Sequence, residues 1–128
     1  VQMGTRFVAA KESIVHENYK HQILKAKDID SVITGSSTGH PVRSLRNHMT
    51  REYLQLEKEN ADFMELEKLT LGSLRKAVID GDTVNGTLMA GQIAGLIREE
   101  KSCADIIQDI MWQAQQTVQR IRTERLGD

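Results

Sequence analysis

The first residues of the chain constrain its fold most strongly. Residues 1–3 form a strand-like run, which Gly4 and Thr5 interrupt, and residues 7–10 then have the apolar character of a short helix. Natural domains rarely begin in the middle of a strand. The order of strand, Gly-Thr turn and helix therefore predicts that these 128 residues are a fragment of a larger fold.

Gly4 and Thr5 have the chemistry of a phosphate-binding turn. A glycine lets the backbone approach a ligand closely, and a threonine hydroxyl can donate a hydrogen bond. The amide groups at the start of a helix point toward an anion. A Gly-Thr pair alone is nevertheless a very weak signal, because most such pairs are ordinary turns. The pattern by itself leaves both a plain turn and a phosphate site open.

Composition excludes several classes of function. Seventeen Lys and Arg residues against eighteen Asp and Glu residues give a net charge of −1, which disfavours nucleic acid and anionic lipid as partners. Only 4% of the residues are aromatic, which argues against a stacking platform for single-stranded nucleic acid. Cys103 is the sole cysteine, so an internal disulfide is impossible. No apolar run approaches the roughly 20 residues that span a bilayer. We therefore expect a cytoplasmic protein.

Apolar periodicity and turn residues predict a mostly helical chain with two short strands. Thr50 is expected to cap the third of its helices, and a break is expected near Thr70 to Gly72. The predicted elements are a short helix at 7–10, a helix over Glu17–Lys27, strands over Asp28–Thr34 and Val42–Leu45, a helix over Arg51–Glu59, two further helices ending near Val78, and a long last helix.

The last helix has the clearest start signal in the chain. Ser102 and Asp105 form a capping box. The helix then carries a stripe of apolar residues on one face, opposite a face of Gln, Arg and Glu residues. Such a stripe must pack on a neighbouring element. Its members are Ile106, Ile107, Ile110, Met111, Ala114, Val118 and Ile121.

The residue types that usually carry catalysis form no recognisable motif here. The separations between His16, His21, His40 and His48 do not follow a metal-binding helix spacing, so structural or solvated histidines are expected. Cys103 lies in the first turn of a helix, where the dipole could lower its pKa, but no base lies near it in sequence. We therefore predict no metal site and no catalytic residue in this chain.

Several segments together resemble one family, the flavin-dependent enoyl-acyl carrier protein reductases of type II, which are relatives of the nitronate monooxygenases. The segments follow the family order and extend from Val1 to about Ile97. They are Val1–Phe7, Ala10–Ser13, Gly39–Arg43, Asn47 with Thr50 and Arg51, and Leu88–Leu96.

The resemblance implies the C-terminal portion of an FMN-binding (β/α)8 barrel. Residues 1–30 would hold the last barrel strand, the FMN-phosphate loop and a helix. Residues 31–97 would form a helical insert that returns to the barrel mouth, and residues 98–128 the C-terminal helix. A complete barrel needs about 250 residues, so the remainder of the barrel would lie outside this chain.

The family likeness also implies two groups of site residues. Gln2, Met3, Gly4 and Thr5 would line the FMN phosphate. The segment Met89, Ala90, Gly91 and Gln92 would lie beside the flavin and the substrate entrance. Small residues there would allow close approach, Gln92 would offer a donor and an acceptor, and Met89 would form an adaptable apolar wall.

The activity implied by the resemblance is hydride transfer from NAD(P)H through FMN to an enoyl thioester carried by acyl carrier protein. The family's catalytic residue would lie in the absent part, and a homodimer is an open expectation.

Two alternatives to the reductase function remain. A nitronate monooxygenase would share the fold, although Gly39–Arg43 and Met89–Ile93 are more similar to the reductase branch. A free-standing helical interaction module is disfavoured by the orphan strand at residues 1–3.

Overall fold

A computed structural model of the protein describes residues 1–125. It is rich in helix and contains one two-stranded sheet. The elements are α1 (Thr5–Val8), α2 (Glu17–Lys25), β1 (Ser31–Thr34), β2 (Val42–Leu45), α3 (His48–Lys58), α4 (Phe63–Thr70), α5 (Ser73–Val78) and α6 (Cys103–Arg125), with 3₁₀ segments at Asp28–Asp30 and Gln92–Leu96.

The sheet is an antiparallel pair in which Ser31 lies opposite Leu45. The first strand begins three residues later than predicted, because Asp28–Asp30 forms a 3₁₀ turn. The carboxylate of Asp30 accepts a hydrogen bond from the backbone of Lys27 at 2.8 Å. An aspartate that binds a nearby backbone amide in this way competes with strand pairing. The second predicted strand is confirmed over Val42–Leu45.

The main core is built around α2. Tyr19 and Ile23 of this helix pack with Leu45 of β2 and with Leu88 and Ile97 of the segment that follows α5. A second cluster joins α3 to α4 through Met49, Tyr53 and Leu66. The main core also fixes the path of residues 88–97, which matters for the site described below.

The ammonium group of Lys20 holds α2 to the segment before α6. Its Nζ lies 3.0 Å from Glu100 Oε1 and 3.4 Å from Glu17 Oε1, and only 2% of the side chain is exposed. A buried lysine is stable only when its charge is paired, as it is here. This contact places residues 98–101 beside α2.

The N-cap residue of α3 differs from the prediction, since Asn47 and not Thr50 precedes the first residue of the helix and caps it. Asn47 Oδ1 accepts from the backbone of Thr50 at 3.0 Å, and Thr50 Oγ1 accepts from the backbone of Asn47 at 2.9 Å. Asn47 also donates through Nδ2 to the carbonyls of Thr83 and Gly86. Three bonds from one side chain therefore start α3 and attach it to the turn after α5.

The other predicted boundaries fall close to the observed ones. The short helix predicted at 7–10 lies two residues earlier, at Thr5–Val8, because the carbonyl of Gly4 accepts the N–H groups of Phe7 and Val8. The helix at residue 17 ends at Lys25 and not at Lys27. The predicted break after Thr70 is confirmed, and Gly72 occupies it with a φ of 73°. At the last helix, Ser102 Oγ accepts from the backbone of Asp105 at 3.1 Å, which confirms the predicted start.

The predicted strand at residues 1–3 is not formed by the described chain. Residues 1–4 have no regular secondary structure and are exposed. A strand needs a partner for its backbone groups, and no described segment pairs with these residues. The prediction that they complete a barrel sheet depends on neighbours outside this chain and stays a prediction.

Other described residues pack against the apolar stripe of α6 mainly at the start of the helix. Ile106 is buried, whereas Ile107, Met111, Val118 and Ile121 are each about half exposed. The described residues therefore cover the beginning of this helix and leave most of its apolar side open. None of the described helices combines the length and apolarity that a membrane crossing requires.

The triple role of Asn47 gives a first prediction. Asn47→Ala should lower the free energy of unfolding by about 3 kcal/mol, since it removes one cap and two partly buried hydrogen bonds, each worth about 1 kcal/mol. Asp62→Ala is the matched control, because Asp62 caps α4 through a single bond to Glu65 and should cost about 1 kcal/mol. Urea denaturation measures both. Equal losses would show that the bonds to Thr83 and Gly86 add nothing.

Candidate functional site

The chain begins with a loop that turns directly into α1. The carbonyl of Gly4 accepts the backbone N–H groups of Phe7 and Val8 at 2.9 and 3.1 Å, which closes the first helical turn. The N–H groups of Gly4, Thr5 and Arg6 have no acceptor among the described residues. Free amides of this kind are available to an anion.

Gly4 leaves an open space beside these amides. Its φ of −103° is accessible to any residue, so the backbone does not require glycine. Apart from its chain neighbours, no described atom lies within 4 Å of the position that a Cβ would occupy. Packing within the described chain does not require glycine either. The space beside Gly4 is therefore open within the described chain.

Thr5 connects this loop to the second predicted group of site residues. The backbone N–H of Gly91 donates to Thr5 Oγ1 at 2.9 Å, although the two residues are 86 positions apart. The hydroxyl group uses an acceptor position in this bond and keeps its own proton to donate. Thr5 can therefore hold Gly91 and an anionic ligand at the same time.

Three consecutive backbone groups fix the segment that contains Gly91. Tyr19 Oη donates to the carbonyl of Met89 at 2.7 Å. The N–H of Ala90 donates to the carbonyl of Arg43 at 3.2 Å. With the bond from Gly91 to Thr5, residues 89–91 are attached to α2, β2 and α1 in turn. The segment is a rigid connection between elements that are distant in sequence.

The side chains of this segment point to different surroundings. Gly91 lines a groove of about 880 Å³ together with Gln2, Met3, Gly4 and Thr5. Met89 is 41% exposed and lines a separate cavity. Ala90 is buried in the main core, and Gln92 is exposed at the start of a 3₁₀ segment. The structure thus brings the predicted phosphate loop and Gly91 together, and places Met89, Ala90 and Gln92 in three other environments.

The groove also holds charged residues that the sequence analysis did not identify. Arg6 Nη1 donates to the carbonyl of Glu99 at 3.0 Å, and Arg98 Nη1 donates to the carbonyl of Ala26 at 3.1 Å. Neither guanidinium group is paired with a carboxylate of the described residues. Both therefore keep their positive charge beside the loop. Arg6 could have been noticed next to the Gly-Thr turn, but nothing in the sequence near Arg98 indicates the site.

Lys101 contributes less to the charge of the groove, because two carboxylates neutralise it. Its Nζ lies 2.6 Å from Asp109 Oδ2 and 2.9 Å from Glu99 Oε1. Asp109, followed by Glu99, raises the pKa of Lys101. The residues that line the groove therefore carry a formal net charge of +1, from Arg6, Arg98 and Lys101 against Glu99 and Asp109. This small excess of positive charge suits an anionic group at residues 2–5.

Cys103, the one thiol of the chain, is not activated as a nucleophile. Desolvation and the neighbouring Glu12 carboxylate raise the pKa of Cys103, so its thiol is a poor nucleophile at neutral pH. The same carboxylate accepts the backbone N–H of Cys103 at 2.9 Å and helps to start α6. Within residues 1–125 no cluster of three or more His, Cys, Asp or Glu side chains is arranged for a metal ion.

The family model of nitronate monooxygenases matches residues 1–113. The chain belongs to the nitronate monooxygenase family. Among curated relatives, the "Probable nitronate monooxygenase" of Staphylococcus saprophyticus is 30% identical over 120 residues, which are 94% of this chain and 34% of that protein. Its counterpart in Staphylococcus aureus is 32% identical over 93 residues, which are 72% of this chain and 26% of that protein. The chain thus spans about a quarter to a third of the length of these relatives.

A solved structure of FabK from Thermotoga maritima matches more of the chain. It is 48% identical, with a TM-score of 0.91, and the match covers 97% of this chain and 39% of that one. A methionine-to-alanine mutant of the same FabK gives 43% identity and a TM-score of 0.82, over 97% and 37% of the two chains. These matches confirm the predicted family resemblance and the predicted fold class. The protein has the fold of a helix-rich portion of the FabK (β/α)8 barrel, in a family of flavin-dependent oxidoreductases.

The contact between Tyr19 and Met89 predicts a pH dependence. Burial raises the pKa of Tyr19 from its ordinary value near 10 to about 12. The folded state therefore favours the protonated phenol, and the stability this provides is present below pH 10 and is lost between pH 10 and 12. Two pKa units correspond to about 2 to 3 kcal/mol.

Urea denaturation at pH 9, 10, 11 and 12 tests this expectation by comparing the protein with Tyr19→Phe. All other titrating groups are common to both proteins. The difference in their free energies of unfolding should shrink over this pH range by about 2 to 3 kcal/mol. A difference that stays constant would mean that the hydroxyl group is not buried against Met89.

Proposed function

We propose that this chain forms the FMN-phosphate loop and part of the substrate entrance of an FMN-dependent enoyl-acyl carrier protein reductase. The observation that carries the proposal is the bond between Thr5 Oγ1 and the N–H of Gly91, which joins the loop at residues 2–5 to the segment expected at the substrate entrance. The 48% identity to FabK, over almost the whole chain, favours this branch of the family.

The described residues fit the phosphate end of FMN. The N–H groups of Gly4, Thr5 and Arg6 and the hydroxyl of Thr5 would donate to phosphate oxygens, and the space beside Gly4 would receive the group. The guanidinium groups of Arg6 and Arg98 would add favourable charge. The chemistry that bound FMN would supply is hydride transfer from NAD(P)H to the β-carbon of an enoyl thioester.

The remaining parts of the reaction would lie outside this chain. The rest of the barrel would supply most of the flavin site and the catalytic residue, and acyl carrier protein would deliver the enoyl thioester. The role of this chain is to bind the cofactor phosphate and to hold Met89 at the entrance through the bond from Tyr19. A homodimer is part of the same proposal.

A nitronate monooxygenase is the second candidate function. The family model and the staphylococcal relatives carry that name, at 30% to 32% identity. The purified whole protein should be given crotonyl thioester with NADH or NADPH, and separately a nitronate with oxygen. Reduction of the thioester supports the proposal. Consumption of the nitronate and oxygen without reduction of the thioester would contradict the reductase proposal and support the monooxygenase function.

The open space at Gly4 predicts how the whole protein binds FMN. Gly4→Val should place a branched side chain where the phosphate is expected, so the purified protein should lose most of its flavin while remaining folded. Gly4→Ala should have a smaller effect in the same direction, because one methyl group fills less of the space. Flavin absorbance per protein chain measures both variants, with circular dichroism as the check on folding. Unchanged flavin content in Gly4→Val would show that Gly4 does not face the phosphate.

Met89 predicts an effect on turnover. Met89→Asp in the whole protein should lower reduction of crotonyl thioester at least tenfold, about 1.4 kcal/mol of transition-state stabilisation, because a carboxylate disrupts an apolar wall. Met64→Asp is the control, since Met64 is 57% exposed on α4 and lines neither cavity. Stopped-flow measurement separates flavin reduction from reoxidation by the thioester. Equal rates of thioester reduction in Met89→Asp and Met64→Asp would show that Met89 does not lie at the substrate entrance.

A further inference from the structure

A second cavity of about 310 Å³ lies between the loop that joins β1 to β2 and the helices α3, α4 and α5. It is distinct from the groove at residues 2–5. Large apolar side chains form much of its wall, and two of them, Phe63 and Leu74, are 56% and 40% exposed. The apolar residues that matter for the argument are Met49, Tyr53, Phe63, Leu66, Leu74 and Met89.

Three hydroxyl groups of the cavity wall already have partners within the protein. Ser73 Oγ donates to the carbonyl of Thr70 at 2.7 Å. The hydroxyl of Thr87 lies 2.5 Å from Ser73 Oγ, and since the proton of Ser73 is used, Thr87 is the donor. Thr38 Oγ1 similarly donates to the carbonyl of Gly35 at 3.0 Å. The protons of these three hydroxyls are therefore not available to a ligand.

The charges around the cavity disfavour a nucleotide. None of the described residues that line it is Lys or Arg, and its ionisable side chains are Glu67, His40 and Tyr53. A phosphate or diphosphate would meet the Glu67 carboxylate without a guanidinium or ammonium group to balance it. The groove at residues 2–5 is the opposite case, since Arg6 and Arg98 line it. An uncharged apolar ligand therefore suits the cavity.

The cavity lies next to the proposed substrate entrance. Met89 lines the cavity, and Gly91, two residues further along, lines the groove. Two residues of extended chain span about 7 Å. The bonds from Tyr19 and Arg43 fix this short segment, so the two spaces keep a constant relation to each other. A ligand that passes Met89 could reach from one space into the other.

We propose that this cavity binds the aliphatic tail of the acyl substrate. Met89 and Met49 have flexible thioether side chains that adapt to apolar chains of different length. Phe63 and Leu74, exposed at the cavity wall, cover the tail when it binds. The identity of the reactive thioester rests on the proposed function, whereas the apolar tail site rests on the cavity itself.

Leu74→Trp tests the site by filling it, and Leu71→Trp is the matched control. Leu71 is the same residue type three positions earlier, is 75% exposed and does not line the cavity. The whole FMN-loaded protein and both variants are assayed with enoyl N-acetylcysteamine thioesters of four and ten carbons. Each buried methylene contributes about fourfold in affinity. The unaltered protein should therefore show a KM at least about tenfold lower for the ten-carbon thioester.

The readout is the ratio of the two KM values. Leu74→Trp should bring the ratio close to one, while Leu71→Trp should keep the ratio of the unaltered protein. Leu74→Phe should change the KM ratio in the same direction but by less. It replaces Leu74→Trp in the assay if that variant does not retain FMN. A ratio near one in the unaltered protein, or an equal change in both tryptophan variants, would overturn the proposal and leave the reductase function intact.

A binding measurement separates this inference from the proposed function. Calorimetric titration with saturated butanoyl and decanoyl N-acetylcysteamine thioesters requires no turnover. Tighter binding of the decanoyl compound, lost in Leu74→Trp and kept in Leu71→Trp, supports the tail site even if no enoyl thioester is reduced. In that case the reductase proposal fails and the cavity proposal stands. Equal binding of both compounds would overturn the cavity proposal.

Discussion

The hydrogen bond from the N–H of Gly91 to the hydroxyl of Thr5 is the contact on which the site depends. It joins the loop at the beginning of the chain to a segment 86 positions later. A threonine is suited to this position because its hydroxyl accepts one bond and can donate another. Tyr19 and Arg43 fix the neighbouring residues Met89 and Ala90. The segment is therefore held by backbone groups, and the Met89 side chain remains partly exposed at a cavity.

This arrangement separates two kinds of recognition. The groove beside Gly4 has free amides and the charges of Arg6 and Arg98, which suit an anion. The cavity beyond Met89 has an apolar wall and internally bonded hydroxyls, which suit a neutral chain. A flavin enzyme that reduces an acyl thioester requires both. The hydrogen-bonded segment at residues 89–91 explains how the groove and the cavity keep a fixed relation although they are built from different elements.

Much of the secondary structure follows from local signals, whereas the site depends on distant contacts. The break at Gly72 and the cap at Ser102 are local, and both were predicted correctly. The predicted capping box is only half formed, because the Asp105 carboxylate accepts from the Ser102 hydroxyl and not from the Ser102 backbone. The cap of α3 was assigned to Thr50, because the sequence does not reveal that Asn47 also binds the turn at residues 83–86. The predicted loop at residues 2–5 came from family resemblance. The bond from Thr5 to Gly91, the position of Arg98 and the burial of Ala90 result from packing, which no spacing in the sequence encodes.

A crystal structure of the whole protein with FMN tests the central claim most directly. The account predicts a phosphate oxygen within about 3 Å of Thr5 Oγ1 and of the amide groups at residues 4–6, with the bond from Gly91 to Thr5 retained. It also predicts Met89 at the edge of the flavin pocket. A phosphate bound away from residues 2–5, or a Thr5 hydroxyl that has exchanged Gly91 for another partner, would contradict the account.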